Sequence, residues 1–260
     1  VLGTNAGQTT ISSDPIKVKK RMQDEIKKVS ELITKPFGIN ILTPNRNQSI
    51  QDAPFTKVLL DSAFEFGIHY FVVVGYAHRE IFNLIKQHNG FIIFRPLTPT
   101  VKESILGEQL GADIIVATGH DEGGILPDSE LGTFTIIPEI TDAVSVPVFA
   151  AGGINDSRTV KAAIALGAKG VYIGTRFLAS KEAPVSQNVK ELIVKSQSTD
   201  TIMVSGNQRA IATKRAQELA DFYQNNNDTN TSNALISKDG GLRSAMRLGN
   251  LDKGIITVNN

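Results

Sequence analysis

The feature that most constrains this chain is a succession of short, apolar, β-branched runs, each followed by a segment with helical spacing. The runs are FGINIL (37–42), HYFVVVG (69–75), FIIFRPL (91–97), ADIIVATG (112–119), VPVFAAGG (146–153) and GVYIGT (170–175). They lack the polar alternation of a half-exposed strand. Such strands are covered on both faces, as in parallel sheets with helical crossovers. Between them, residues 54–66, 78–88, 100–110, 131–143 and 157–166 read as helices. A further helix is expected over 15–33. It carries Val18, Met22, Ile26, Val29 and Ile33 at helical spacing, with Asp14 as N-cap and Pro15 as first helical residue. Gly111 suits the C-terminal end of the helix at 100–110.

Repeated βα units either close into a barrel or wind into an open sheet. Asn40, Gly75, Gly119, Gly152, Gly153, Gly174 and Thr175 fall at the C-terminal ends of many different strands. That is the functional rim of a barrel, whereas an open sheet gathers such residues at one crevice. The expected fold class is therefore α/β, a (β/α)8 TIM barrel, and 260 residues suit one such barrel. The barrel core is expected over 1–185, a mostly helical insertion or subdomain over 186–235, and a return to the barrel over 236–260. Within the last third, 186–196 and 208–224 read as helices, the second built on Ile211, Arg215, Leu219 and Phe222. NNNDTNTSN (225–233) reads as a polar loop or linker. The abrupt start at Val1 and the apolar ending GIITVNN read as truncation at both ends.

Composition narrows the function classes. Hydrophobic residues at 41% and charged residues at 20% allow a substantial buried core. A formal net charge of +1 argues against general nucleic-acid binding, which usually needs a strong basic patch. The absence of cysteine excludes disulfides, thiolate nucleophiles and cysteine-ligated metal sites. No apolar run approaches the ~20 residues of a membrane span and no signal peptide is visible, so a cytoplasmic location is expected.

The strongest chemical signal is AAGGINDSRTVKAAIALGAKGVYIGTRF (150–177), two strand ends separated by one helix. The first ends in Gly152-Gly153 and the second in Gly174-Thr175. Glycine lets backbone N–H groups approach an anion closely, and paired phosphate loops after the last two strands are a known feature of this barrel. The second signal, TGHDEGGILPD (118–128), gathers His120, Asp121 and Glu122 beside Gly123-Gly124. A histidine and two carboxylates can do acid–base work or hold a metal. Adjacent residues rarely point to one centre, however, and the glycines better suit a backbone lying against a flat ligand. Asn40, inside an apolar strand, needs partners: a ligand or neighbouring strands. Arg95, inside FIIFRPL, needs an anion or a carboxylate. The helices bearing His78 and His88 read as solvated, and Lys17, Lys19, Lys20 and Arg21 read as an exposed helix face.

Together KPFGINI (35–41), GHDEGGI (119–125), AAGGIND (150–156), GVYIGTRF (170–177) and EAPVSQNVKE (182–191) resemble the nitronate monooxygenase (2-nitropropane dioxygenase) family. That family also includes the flavin-dependent enoyl-acyl-carrier-protein reductases. The resemblance implies a non-covalent FMN with its phosphate on Gly152, Gly153, Gly174 and Thr175. It implies that the loop Asp121, Glu122, Gly123 and Gly124 lies along the flavin and that Asn40 and Gly75 line the site. It further implies a small-molecule substrate, oxidation of small alkyl nitronates with molecular oxygen, or alternatively enoyl reduction with NAD(P)H. Two positions depart from the family pattern. The histidine that follows the Gly-Gly pair in many members is Ile125 here, which cannot transfer a proton and leaves His120 as a weak substitute. A lysine often found near Leu97 is absent, and Arg95 is the candidate for its positive charge. Ile125 also leaves open a flavin-binding protein of low turnover, and the phosphate loops alone also suit a flavin-free isomerase or lyase.

Overall fold

The structure, a computed structural model, describes residues 1–8, 12 and 14–259. Its elements follow in the order α1 (Pro15–Leu32), β1 (Gly38–Leu42), α2 (Pro54–Glu65), β2 (Tyr70–Gly75), α3 (Arg79–Gln87), β3 (Phe91–Pro96), α4 (Val101–Gln109) and β4 (Ile114–Thr118). Next come β5 (Gly124–Ile125), α5 (Thr133–Ala143), β6 (Val148–Ala151), α6 (Ser157–Ala165), β7 (Gly170–Tyr172), α7 (Thr175–Leu178) and α8 (Gln187–Lys195). The chain continues through β8 (Thr201–Ser205), β9 (Gln208–Ile211), α9 (Lys214–Asn226), α10 (Thr229–Ser237) and α11 (Gly241–Met246). Six strands form a sheet in the order β1-β2-β3-β4-β6-β7, and β5-β9-β8 form a second, three-stranded sheet. Two compact units result: Val1–Ala117 with Pro138–Phe149, and Thr118–Ile137 with Ala150–Asn260.

In the first unit, helix α1 begins as its sequence dictates. The Asp14 carboxylate accepts from the Ile16 N–H, and Pro15 fills the first turn, where no backbone donor is missed. The parallel register aligns Ile39 with Phe71 and Ile92, and Ile41 with Val73 and Phe94. All six side chains are fully buried. Phe64 of α2 lies 5.6 Å from Phe71 between ring centroids, and Phe82 of α3 meets Phe94 edge-on at 5.3 Å, so this face is the helix-covered one. Burial of each such aromatic contributes about 1.5–3 kcal/mol. The opposite face carries Asn40, Leu42, Val72, Val74, Ile93 and Arg95. It opens toward the C-terminal ends of the strands, where Leu42 is 49% exposed while Asn40 and Arg95 are half-buried. Leu2 runs parallel to β1. Its N–H donates to the Gly38 carbonyl (2.7 Å), and its own carbonyl accepts from the Asn40 N–H (2.8 Å).

The second unit departs from two sequence expectations. Residues 208–224 are not one helix. Gln208–Ile211 form β9, antiparallel to β8, and α9 starts only at Lys214, where the Thr213 hydroxyl accepts from the Ala216 N–H. The spacing of Ile211, Arg215, Leu219 and Phe222 is helical by coincidence across a strand, a cap and a helix. Residues 225–233 are not a linker either, because Asp228 caps α10 and buries Ser232 and Ile236. The apolar run near residue 255 alternates between two cores. Ile255 packs with Val204, Ala210, Ala216, Leu219 and Ile236, whereas Ile256 and Val258 pack with Val189, Ile193, Ile211 and Ala245.

Candidate functional site

The site is best built from the loop that follows β4. The Gly119 N–H donates to the Ala151 carbonyl (3.0 Å) and the His120 N–H to the Leu131 carbonyl (2.8 Å). Asp121 Oδ2 accepts from the Thr133 N–H (2.6 Å), and Thr133 Oγ1 donates to the Gly152 carbonyl (3.0 Å). Asp121, Thr133 and Gly152 therefore form a strut between the Gly-Gly loop and the loop after β6. Glycine is required at both ends of this approach. A Cβ at Gly119 would stand 2.3 Å from the Thr133 nitrogen, and one at Gly152, where φ is +97°, would stand 2.8 Å from the Gly119 carbonyl oxygen.

The Gly-Gly pair is clamped from two further directions. Arg209 on β9 donates from Nη1 to the carbonyls of His120 (3.2 Å) and Glu122 (3.4 Å), and its Nη2 reaches His120 Nδ1 at 3.4 Å. Asn259 donates its side-chain amide to the Asp121 carbonyl (2.6 Å), and a Cβ at Gly123 would meet the Val258 and Asn259 backbone at 2.5 Å. Gly124 and Ile125 form β5, opposite Arg209 and Gln208, and Ile125 is half-exposed.

Gly174 and Thr175 follow β7. Gly174 differs from its counterparts. Its φ is −108° and a Cβ there would find nothing within 4 Å, so neither conformation nor neighbouring protein atoms demand glycine. Helix α7, which begins at Thr175, has only four residues.

Three candidate residues lie in the first unit. Asn40 and Arg95 share the open sheet face described above. Gly75 ends β2 at φ +126°. A Cβ there would press on Thr43 Oγ1 at 2.2 Å, the same oxygen that accepts from the Tyr76 N–H (2.7 Å). Glu103, buried at the start of α4, accepts from the Ala77 N–H (2.6 Å) and pairs with Arg46, whose guanidinium lies over the Tyr76 ring. His78 is not solvated as its helix suggested. It is buried, with Nε2 at 2.8 Å from the Gln48 carbonyl oxygen, because it precedes α3 in the packed turn after β2. His88 is exposed and stacks on Phe64.

Thr133, Arg209 and Asn259 were not singled out in the sequence. Thr133 opens α5 directly after a glycine, a position that could have marked it. Arg209 lies in the span 208–224, whose apolar spacing is helical although residues 208–211 form β9.

The nitronate monooxygenase family model matches residues 2–260. The chain belongs to the nitronate monooxygenase family. Relatives of this family member include a probable nitronate monooxygenase of Staphylococcus haemolyticus, 34% identical over 71% of this chain. The match covers 61% of that relative, so the chain spans less than two thirds of its length. A probable nitronate monooxygenase of Staphylococcus aureus is 30% identical over 84% of this chain and 72% of its own. Among solved structures, FabK from Thermotoga maritima superposes with a TM-score of 0.80 at 28% identity, covering 95% of this chain and 75% of its own. Nitroalkane oxidase from Streptomyces ansochromogenes superposes with a TM-score of 0.75 at 20% identity, covering 93% and 79%. The fold of this nitronate monooxygenase family member is accordingly α/β of the TIM-barrel class.

Proposed function

We propose that the chain is an FMN-dependent oxidoreductase that oxidises small alkyl nitronates with molecular oxygen. The observation that carries this reading is Gly174. The glycines at 119, 123 and 152 are explained by protein atoms a side chain would strike, whereas Gly174 faces open space at an ordinary φ. A ligand that approaches the backbone closely accounts for it, and a phosphate is the ligand that paired barrel loops of this kind accept. In this reading Gly152, Gly153, Gly174 and Thr175 hold the FMN phosphate. Glu122, Gly123 and Gly124 present backbone to the flavin, and Asp121 keeps their loop in shape. Bound FMN supplies electron transfer, and the protein supplies binding and orientation. A nitronate is already an anion and needs no base, which suits a site with Ile125 where the family resemblance leads one to expect histidine.

The test is the visible spectrum of the purified protein, with the released cofactor identified by mass. Anaerobic addition of an alkyl nitronate should then bleach the flavin. A colourless protein that takes up no FMN refutes the flavin. Bleaching by NAD(P)H and not by nitronate refutes the reaction. That second outcome is the enoyl-reductase reading, which the likeness to FabK at 28% identity favours.

A further inference from the structure

We infer that Arg209 is a positioning residue that holds His120 in its Nε2–H tautomer, so that His120 donates a hydrogen bond to an anionic substrate and does not remove a proton from a neutral one. The second half rests on the nitronate reading proposed above; the first does not.

Arginine carries only donors and no lone pair to accept with. The contact of Arg209 Nη2 with His120 Nδ1 at 3.4 Å therefore makes Nδ1 the acceptor, and the ring proton of neutral His120 resides on Nε2. The same guanidinium fixes the backbone from which the ring hangs, through the carbonyls of His120 and Glu122. Arg209 is itself fixed by its strand, since β9 pairs with β5 on one side and β8 on the other. Tautomer and loop are thus set by one side chain, and the orientation of a histidine ring by a partner on its second nitrogen is the usual way such a residue is given one role. A ring protonated on Nε2 has no lone pair there, so it can stabilise a nitronate or other oxyanion but cannot act as a base through that atom.

The test is ¹⁵N NMR of histidine-labelled, flavin-bound protein at a pH where the rings are neutral. The four histidines of the sequence give a small spectrum, and His120→Gln identifies the signal. The wild type is expected to show the Nε2–H pattern for His120. Arg209→Met should move that signal toward a tautomer mixture, and Arg209→Lys, which keeps a donor, should restore part of the original pattern. With nitronate, His120→Ala and Arg209→Met should each lower kcat/KM by about 10- to 150-fold, the range for one hydrogen bond to a charged group. A wild-type Nδ1–H pattern overturns the inference, as does a folded Arg209→Met protein with an unchanged His120 signal. If Arg209→Met fails to fold, the wild-type spectrum alone still decides the tautomer. The spectrum needs no turnover, so loss of the nitronate reading would leave the tautomer result standing and would be recognised separately.

Discussion

Replacing Gly174 with valine separates a glycine kept for a ligand from one kept for the fold. The position has a negative φ and open space where the side chain would go, so the chain itself has no reason to resist the change. Substitutions at such sites usually alter stability by no more than about 0.5 kcal/mol. The valine methyls would instead fill the space above the loop and displace a phosphate from the backbone. Each hydrogen bond to a charged group contributes about 1.5–3 kcal/mol. At about 1.4 kcal/mol per factor of ten, losing one weakens FMN binding by roughly 10- to 150-fold. Titration of the flavin-free protein with FMN, followed by flavin fluorescence, gives the affinity, and thermal unfolding of the same flavin-free protein gives the stability. An unchanged FMN affinity would refute the reasoning. So would a fall of several kcal/mol in the stability of the flavin-free protein, because the glycine would then serve the chain.

Gly123→Ala should do the reverse. Its Cβ meets backbone atoms of Val258 and Asn259 that cannot swing aside, so urea unfolding should show a loss of about 1–3 kcal/mol, as overpacking does. Asp156, the N-cap of α6, is held at about 2, below the ordinary 3.8, first by the Arg158 side chain and then by the Thr159 N–H. A depressed carboxyl pKa stabilises above 3.8 and loses that effect as pH falls toward 2, so the Tm advantage of wild type over Asp156→Asn should shrink across that window. A constant Tm difference there would contradict the capping pair. Ile125→His should raise turnover of neutral nitroalkanes, by up to the roughly 10²–10⁴-fold that a general base contributes, while changing nitronate turnover little. Equal wild-type rates on both substrate forms would show that another group already removes the proton.

The βα succession was legible because both of its signals are local. Apolar runs bounded by glycine and helices with an Asp14-Pro15 start need no distant partner to be recognised. The last third was not legible for the opposite reason. Gln208–Ile211 is a strand only because β8 and β5 flank it, and four residues carry too little periodicity to announce that. Asp228 caps α10, but the polar composition around it concealed a helix whose buried side includes a serine. At the site, the loops were visible as glycine pairs. Their bracing by Thr133, Arg209 and Asn259 was not, since those contacts span 12 to 138 residues.

The same letter stands at Gly119, Gly123, Gly152 and Gly174, yet only geometry separates the reasons for it. At the first three, a methyl group would collide with backbone or with Thr133, so loop packing alone already accounts for glycine there. At Gly174 that explanation fails, and the phosphate contact proposed above is the reason offered for it. The polar residues of the loop divide in the same way. Asp121 Oδ2 accepts from the Thr133 N–H and the Asp121 carbonyl accepts from Asn259, so this residue braces the loop. His120 has one nitrogen engaged by Arg209, a partner that can only donate. At His120 the loop thus offers a hydrogen-bond donor, and at Ile125 an aliphatic side chain that can neither give nor take a proton. On the nitronate reading proposed above, a substrate that arrives already deprotonated needs from His120 only that donor.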